Sequence, residues 1–113
     1  MTIQNQPENI ITIDIISESL VDEELQRATE LASKNVDCDI VIQFPLITTI
    51  NPPSIVKLMK LRRALKFSGR RLILFSVSPE TKKIFWLTAL DTFFEFTADY
   101  CDAVSKLQEA SRN

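Results

Sequence analysis

The side chains able to do chemistry are unevenly spread along this chain of 113 residues. It holds no histidine and two cysteines, Cys38 and Cys101, far apart and outside any CxxC spacing. Without imidazole the commonest general base near neutral pH is missing. Two isolated thiols are too few soft ligands for the usual zinc sites, so no metal is expected. Both thiols are expected to be reduced and partly buried. A glycine-rich phosphate loop is excluded, because Gly69 is the single glycine. Asp22, Glu23 and Glu24 stand together, but they sit where a helix should begin and suit its dipole better than a catalytic pair. No catalytic residue and no cofactor follow from this inventory, and the chain reads as a non-enzyme.

Charge is segregated. From Met1 to Asp39 there are nine acids and two bases, whereas from Ile40 to Pro79 there are seven bases and no acid. Lys57, Lys60, Arg63 and Lys66 recur at helical spacing as a basic stripe, either a solvated face balanced by the acidic first helix or a surface for an acidic protein partner. No aromatic residue interleaves the stripe, so nucleic acid is not expected. The net charge is only −2, which gives no general attraction to an anionic membrane. No leader-like segment opens the chain, and its longest charge-free stretch, Ile40 to Val56, holds Pro45, Pro52 and Pro53, so a cytoplasmic protein is expected.

The elements that must position these residues alternate. IITIDII from Ile10 is β-branched almost throughout and reads as a strand. VDEELQRATELASK places Leu25, Ala28, Leu31 and Ala32 on one helical face. CDIVIQF is apolar enough to be a strand buried on both sides. A proline-containing loop, PLITTINPPS, leads to a helix from Ser54 to about Phe67, with Asn51 as N-cap and Gly69 as the left-handed stop. On its wheel Ile55, Leu58, Met59 and Leu65 define the apolar side, with Arg62 snorkelling at the edge. RLILFSV is a third strand, Ser78–Pro79 opens a third helix, FFEF is a short fourth strand, and DYCDAVSKLQEA is a closing helix. Phe93 and Phe94 are adjacent, so one of the aromatic group Phe85, Trp86, Phe93, Phe94 and Phe96 is expected outside the core. The order implies an α/β domain with a mainly parallel sheet of four or five strands, about four helices and right-handed crossovers. Residues 1–9 are a polar tail or an edge strand, and 10–113 the domain.

Three of these pieces resemble the STAS family, named for sulphate transporters and anti-sigma-factor antagonists. DIVIQF followed by NPPSIVKLMKLRRALKFSG is similar to the family's strand, phosphorylation loop and helix. RRLILFSVSPETKKIF is similar to its next strand and serine–proline turn, and LTALDTFFEF to its leucine–threonine–glycine–leucine–aspartate segment. The resemblance implies a STAS-like fold and a regulatory module that binds proteins. The partner it implies is an anti-sigma factor, a serine kinase of the histidine-kinase-like ATPase type. A scaffold or assembly subunit, stressosome-like or transporter-associated, is the alternative, and a homodimer stays open.

The departures are specific. Where phosphorylation-switch members carry aspartate–serine–serine–glycine, this chain has Asn51, Pro52, Pro53 and Ser54. Pro53 occupies the acceptor position and has no hydroxyl, and Asn51 is neutral. Ala89 stands where the family has glycine, a change that a helix end can absorb. The expected partner surface is Asn51, Pro52, Pro53, Ser54, Lys57 and Lys60, held in shape by two fixed φ angles and lacking the usual phosphoserine switch. Ser54, Thr48 and Thr49 are possible substitute phosphoacceptors, since an anion is favoured near a helix N-terminus.

Overall fold

A computed structural model describes residues 9–34, 38–44 and 50–111, apart from the side chains of Glu18, Glu109, Ala110 and Ser111. Four strands and four helices alternate: β1 (Ile10–Asp14), α1 (Val21–Ser33), β2 (Asp39–Gln43), α2 (Pro52–Phe67), β3 (Leu72–Phe75), α3 (Pro79–Leu87), β4 (Glu95–Thr97) and α4 (Tyr100–Ser111). A short 3-10 turn, Glu18–Leu20, precedes α1. The strands pair in the order β1-β2-β3-β4, all parallel. The α/β class and the parallel sheet expected from the sequence are thus observed, with four strands among the described residues. The expected tail or edge strand in residues 1–9 falls almost wholly outside them.

The register explains why the strands are apolar on both sides. Ile13, Ile42 and Leu74 are partners across β1, β2 and β3, while Val41 pairs with Ile73 one residue out of phase. Successive residues of a strand point to opposite faces. The first set packs with Val21, Leu25 and Ala28 of α1, Ile55, Leu58, Leu61 and Leu65 of α2, and Phe85 of α3 in one core. The second set, with Ile10 and Phe75, packs under Ala103 and Leu107 of α4 in a smaller core. Three crossover helices therefore cover one face of the sheet, as consecutive crossovers of one hand along the order β1-β2-β3-β4 require, and the closing helix covers the other. The apolar face of α4 carries Ala103, Val104 and Leu107.

Local chemistry sets the helix ends. The α2 helix starts two residues earlier than the sequence suggests, with Pro52 and Pro53 in its first two helical positions. Asn51 is the N-cap residue, but its side chain makes no capping bond. The reason lies in the prolines: Pro53 has no N–H to donate, and the Ser54 N–H already donates to the Asn51 carbonyl at 2.9 Å. Ser78, by contrast, caps α3 with its hydroxyl, which accepts from the Thr81 N–H at 3.1 Å.

Two helices end in the same motif. After α2, the Arg70 N–H reaches the Leu65 carbonyl at 2.8 Å and the Gly69 N–H reaches Lys66 at 3.0 Å. After α3, Leu90 reaches Phe85 at 2.8 Å and Ala89 reaches Trp86 at 3.1 Å. Both are Schellman closures, which need a left-handed residue. Gly69 supplies it at φ 72°, and Ala89 is held there at φ 59°. Alanine in that region is strained by its Cβ.

The fourth strand begins at Glu95, two residues later than the FFEF pattern suggests. Phe94 is buried from the preceding turn, whereas Phe93 is exposed. Phe85 meets Phe94 and Phe96 edge-on at 5.3 and 5.4 Å between ring centroids, a favourable aromatic geometry. Trp86, one residue on, is 65% exposed. Two of the five aromatics therefore lie outside.

Candidate functional site

The α2 helix carries the expected site, and its neighbours fix what each residue can do. Asn51, Pro52 and Pro53 are exposed where the chain enters the helix. Neither proline exposes an N–H, so this first turn presents rigid apolar rings where helices usually present donors. Ser54 faces the other way. It is 4% exposed, and its hydroxyl donates to the Asp22 carboxylate in the first turn of α1 at 2.5 Å. Lys57 reaches the second oxygen of Asp22 at 3.7 Å. One acid of α1 thus holds two residues of α2, and the two helix N-termini are tied together.

The expected surface therefore divides. Asn51, Pro52, Pro53 and Lys60 are exposed, whereas Ser54 and Lys57 are engaged with Asp22. Phosphate on Ser54 would require the Asp22 bond to open. Thr48 and Thr49 lie outside the described residues.

The balance of the basic stripe by the acidic helix extends only to Lys57. Lys60, Arg62, Arg63 and Lys66 have no carboxylate in salt-bridge reach among the described residues. Arg70 and Arg71, by contrast, are used at the opposite end of the sheet. Asp39, buried at the start of β2, accepts the Arg71 N–H at 2.8 Å and lies 3.5 Å from the Arg70 guanidinium. The Arg71 guanidinium grips Glu95 of β4 through both carboxylate oxygens, and Lys106 of α4 lies 3.8 Å from the same group. The hydrogen bond to Glu95 holds the Arg71 pKa above its ordinary value, against the opposing effect of burial. These charges brace β2, β3, β4 and α4, so they are structural.

The wheel reading of α2 misses two features. Met59, placed on the apolar side, is 43% exposed, and Val56 is 49% exposed. The buried side centres instead on Ser54, Ile55, Leu58, Leu61 and Leu65. Arg62 is half-buried, but its head stacks over the Phe93 ring at 5.5 Å, where the sequence suggests a head in open water. A cation over an aromatic face is attractive, and no sequence spacing announces a partner 31 residues away.

Among the described residues, no group of three or more histidine, cysteine, aspartate or glutamate side chains gathers to hold a metal. Cys38 is half-buried and Cys101 exposed, so the second thiol is more open than expected. No helix among them is long and apolar enough to cross a membrane.

No protein-family model matches the chain, and no curated protein matches it. Among solved structures, it is similar to a Thermotoga maritima protein assigned as an anti-sigma factor antagonist. The TM-score is 0.71, over 90% of each chain, at 15% sequence identity. At that identity the likeness is one of fold, and the fold is STAS-like, as the three sequence pieces imply.

Proposed function

We propose that this chain is a non-catalytic regulatory module that binds a protein partner in the manner of an anti-sigma-factor antagonist. Its contact surface centres on Asn51, Pro52 and Pro53, with Lys60 beside them. The observation that carries the reading is the exposed, proline-fixed first turn of α2, set where the resemblance places the regulatory loop. Two fixed φ angles lower the ordering cost of binding. Pro53 offers no hydroxyl at the acceptor position, and the neighbouring hydroxyl of Ser54 is turned inward to Asp22. Binding on this reading is constitutive, and any control acts elsewhere than at the usual serine. The partner class is an anti-sigma factor of the histidine-kinase-like ATPase type, whose sequestration frees a sigma factor.

Affinity capture from the source cell with the tagged chain, followed by mass spectrometry, tests the partner class. Recovery of an ATPase of that type supports the reading. Recovery of a transporter, or self-assembly into particles, replaces it with the scaffold function.

A further inference from the structure

The outer side of α2 forms one wall of a hollow of about 530 Å³, and Phe93 of the turn before β4 forms the other. Its apolar surface comes from Val56, Met59 and Phe93, all of them 43–49% exposed. Its rim is Lys60, Arg62, Arg63 and Lys66, none of which has a carboxylate partner among the described residues. No acid lines it. At Arg62, Lys66 and Phe93 it runs on into a second hollow of about 310 Å³, whose one lining acid among the described residues, Glu95, is held by Arg71.

From this arrangement we infer that the α2–Phe93 groove docks an acidic amphipathic helix of a protein partner. An apolar floor between cationic rims is complementary to a helix with an apolar stripe flanked by glutamate or aspartate. From Val56 to Lys66 the groove follows α2 for about 15 Å, the length of roughly three helical turns. Like charges along the rim repel one another, and acidic side chains relieve that repulsion. Arg62 is already fixed over Phe93, so little side-chain freedom remains to be lost there. A flat anionic bilayer would meet only the ridge of α2 and leave the hollow unfilled. The inference rests on the proposed function only in taking a protein segment as the occupant. The groove lies beyond the proline turn and shares only Lys60 with that surface, a residue that the variants tested below leave in place.

The test uses the whole chain and a fluorescent synthetic peptide of about 18 residues. The peptide has leucines on one helical face and glutamates on the flanks, and is compared with a scrambled peptide of the same composition. Anisotropy should show saturable binding of the amphipathic peptide, at least tenfold tighter than the scrambled control and weakening as salt rises. The double variant R63E/K66E and the single variant F93A should each lose at least tenfold, with circular dichroism unchanged. R63E/K66E alters only exposed residues, so it remains informative if F93A unfolds. Absence of binding, equal binding of the scrambled peptide, or equal binding by R63E/K66E would overturn the inference. So would binding to phosphatidylglycerol-containing vesicles without binding to the peptide. None of these results touches the proline turn, whose role is read from partner capture.

Discussion

The Ser54 hydroxyl donates to the Asp22 carboxylate at 2.5 Å, and this one bond joins the first turns of α1 and α2. It fixes the orientation of the proline turn relative to the rest of the domain. A hydrogen bond from a neutral donor to a charged acceptor contributes about 1.5–3 kcal/mol when well enclosed. Here the Asp22 side chain is about half exposed, which places the value near the low end. Ser54→Ala should therefore cost about 1–2 kcal/mol in urea denaturation. Lys57→Ala should cost under about 1 kcal/mol and lose its effect in salt, as a partly exposed ion pair does. Equal costs for both would show that the hydroxyl bond is not the principal tie.

Ala89 occupies a left-handed position that glycine holds without strain. Replacing it with glycine should stabilise the fold by about 1 kcal/mol, since the Cβ strain outweighs the entropy lost. Gly69→Ala, at the equivalent position after α2, should destabilise by a similar amount. There the cost is purely conformational, because an added Cβ meets nothing within 4 Å. Thermal melts of the two variants should move in opposite directions.

Phe85 and Trp86 are sequence neighbours with opposite environments. Phe85 is fully buried against Phe94 and Phe96, and its truncation to alanine should cost about 3–5 kcal/mol. Trp86→Ala should stay within about 0.5 kcal/mol, as surface substitutions do. Wild-type fluorescence should be that of a solvated indole, open to quenching by acrylamide. Blue-shifted, protected emission would contradict the placement of this ring.

The grip of Arg71 on Glu95 uses two nitrogens on two oxygens, a geometry that lysine cannot reproduce. Arg71→Lys should cost about 1 kcal/mol despite keeping the charge. A neutral outcome in denaturant titration would show that charge alone suffices at this end of the sheet.

Much of this architecture is legible in the sequence because its signals are local. IITID, DIVIQ and LILF are apolar or β-branched runs, and Ser78–Pro79 and Gly69 mark helix ends by chemistry that needs no distant partner. The signal fails where a tertiary contact overrides the local pattern. FFEF reads as a strand from Phe93, yet Phe94 reaches the core from a turn, and pairing with β3 begins only at Glu95. Met59 is apolar but turned outward, since the buried side of α2 centres on Ser54, Ile55, Leu58, Leu61 and Leu65, and the inward Ser54 is bonded to Asp22, 32 positions away. The candidate loop could be located from the Asn51–Ser54 match. Its division into an exposed proline face and an inward serine could not be read, since it depends on how α1 and α2 pack.

Incubation with the captured ATPase and Mg-ATP should leave the intact mass of the chain unchanged. The proposal places no accessible acceptor in the Asn51–Ser54 turn, and phosphate at stoichiometric level on that turn would refute the loss of the switch.

The central claim, that the proline turn of α2 is the partner contact, is tested most directly by titration calorimetry of the captured partner against wild type and Pro53→Asp. The substitution lies on an exposed first-turn position where aspartate suits the helix dipole, so the fold should persist. The account predicts at least tenfold weaker binding, a loss of about 1.4 kcal/mol or more. An unchanged affinity for the correctly folded variant would contradict it.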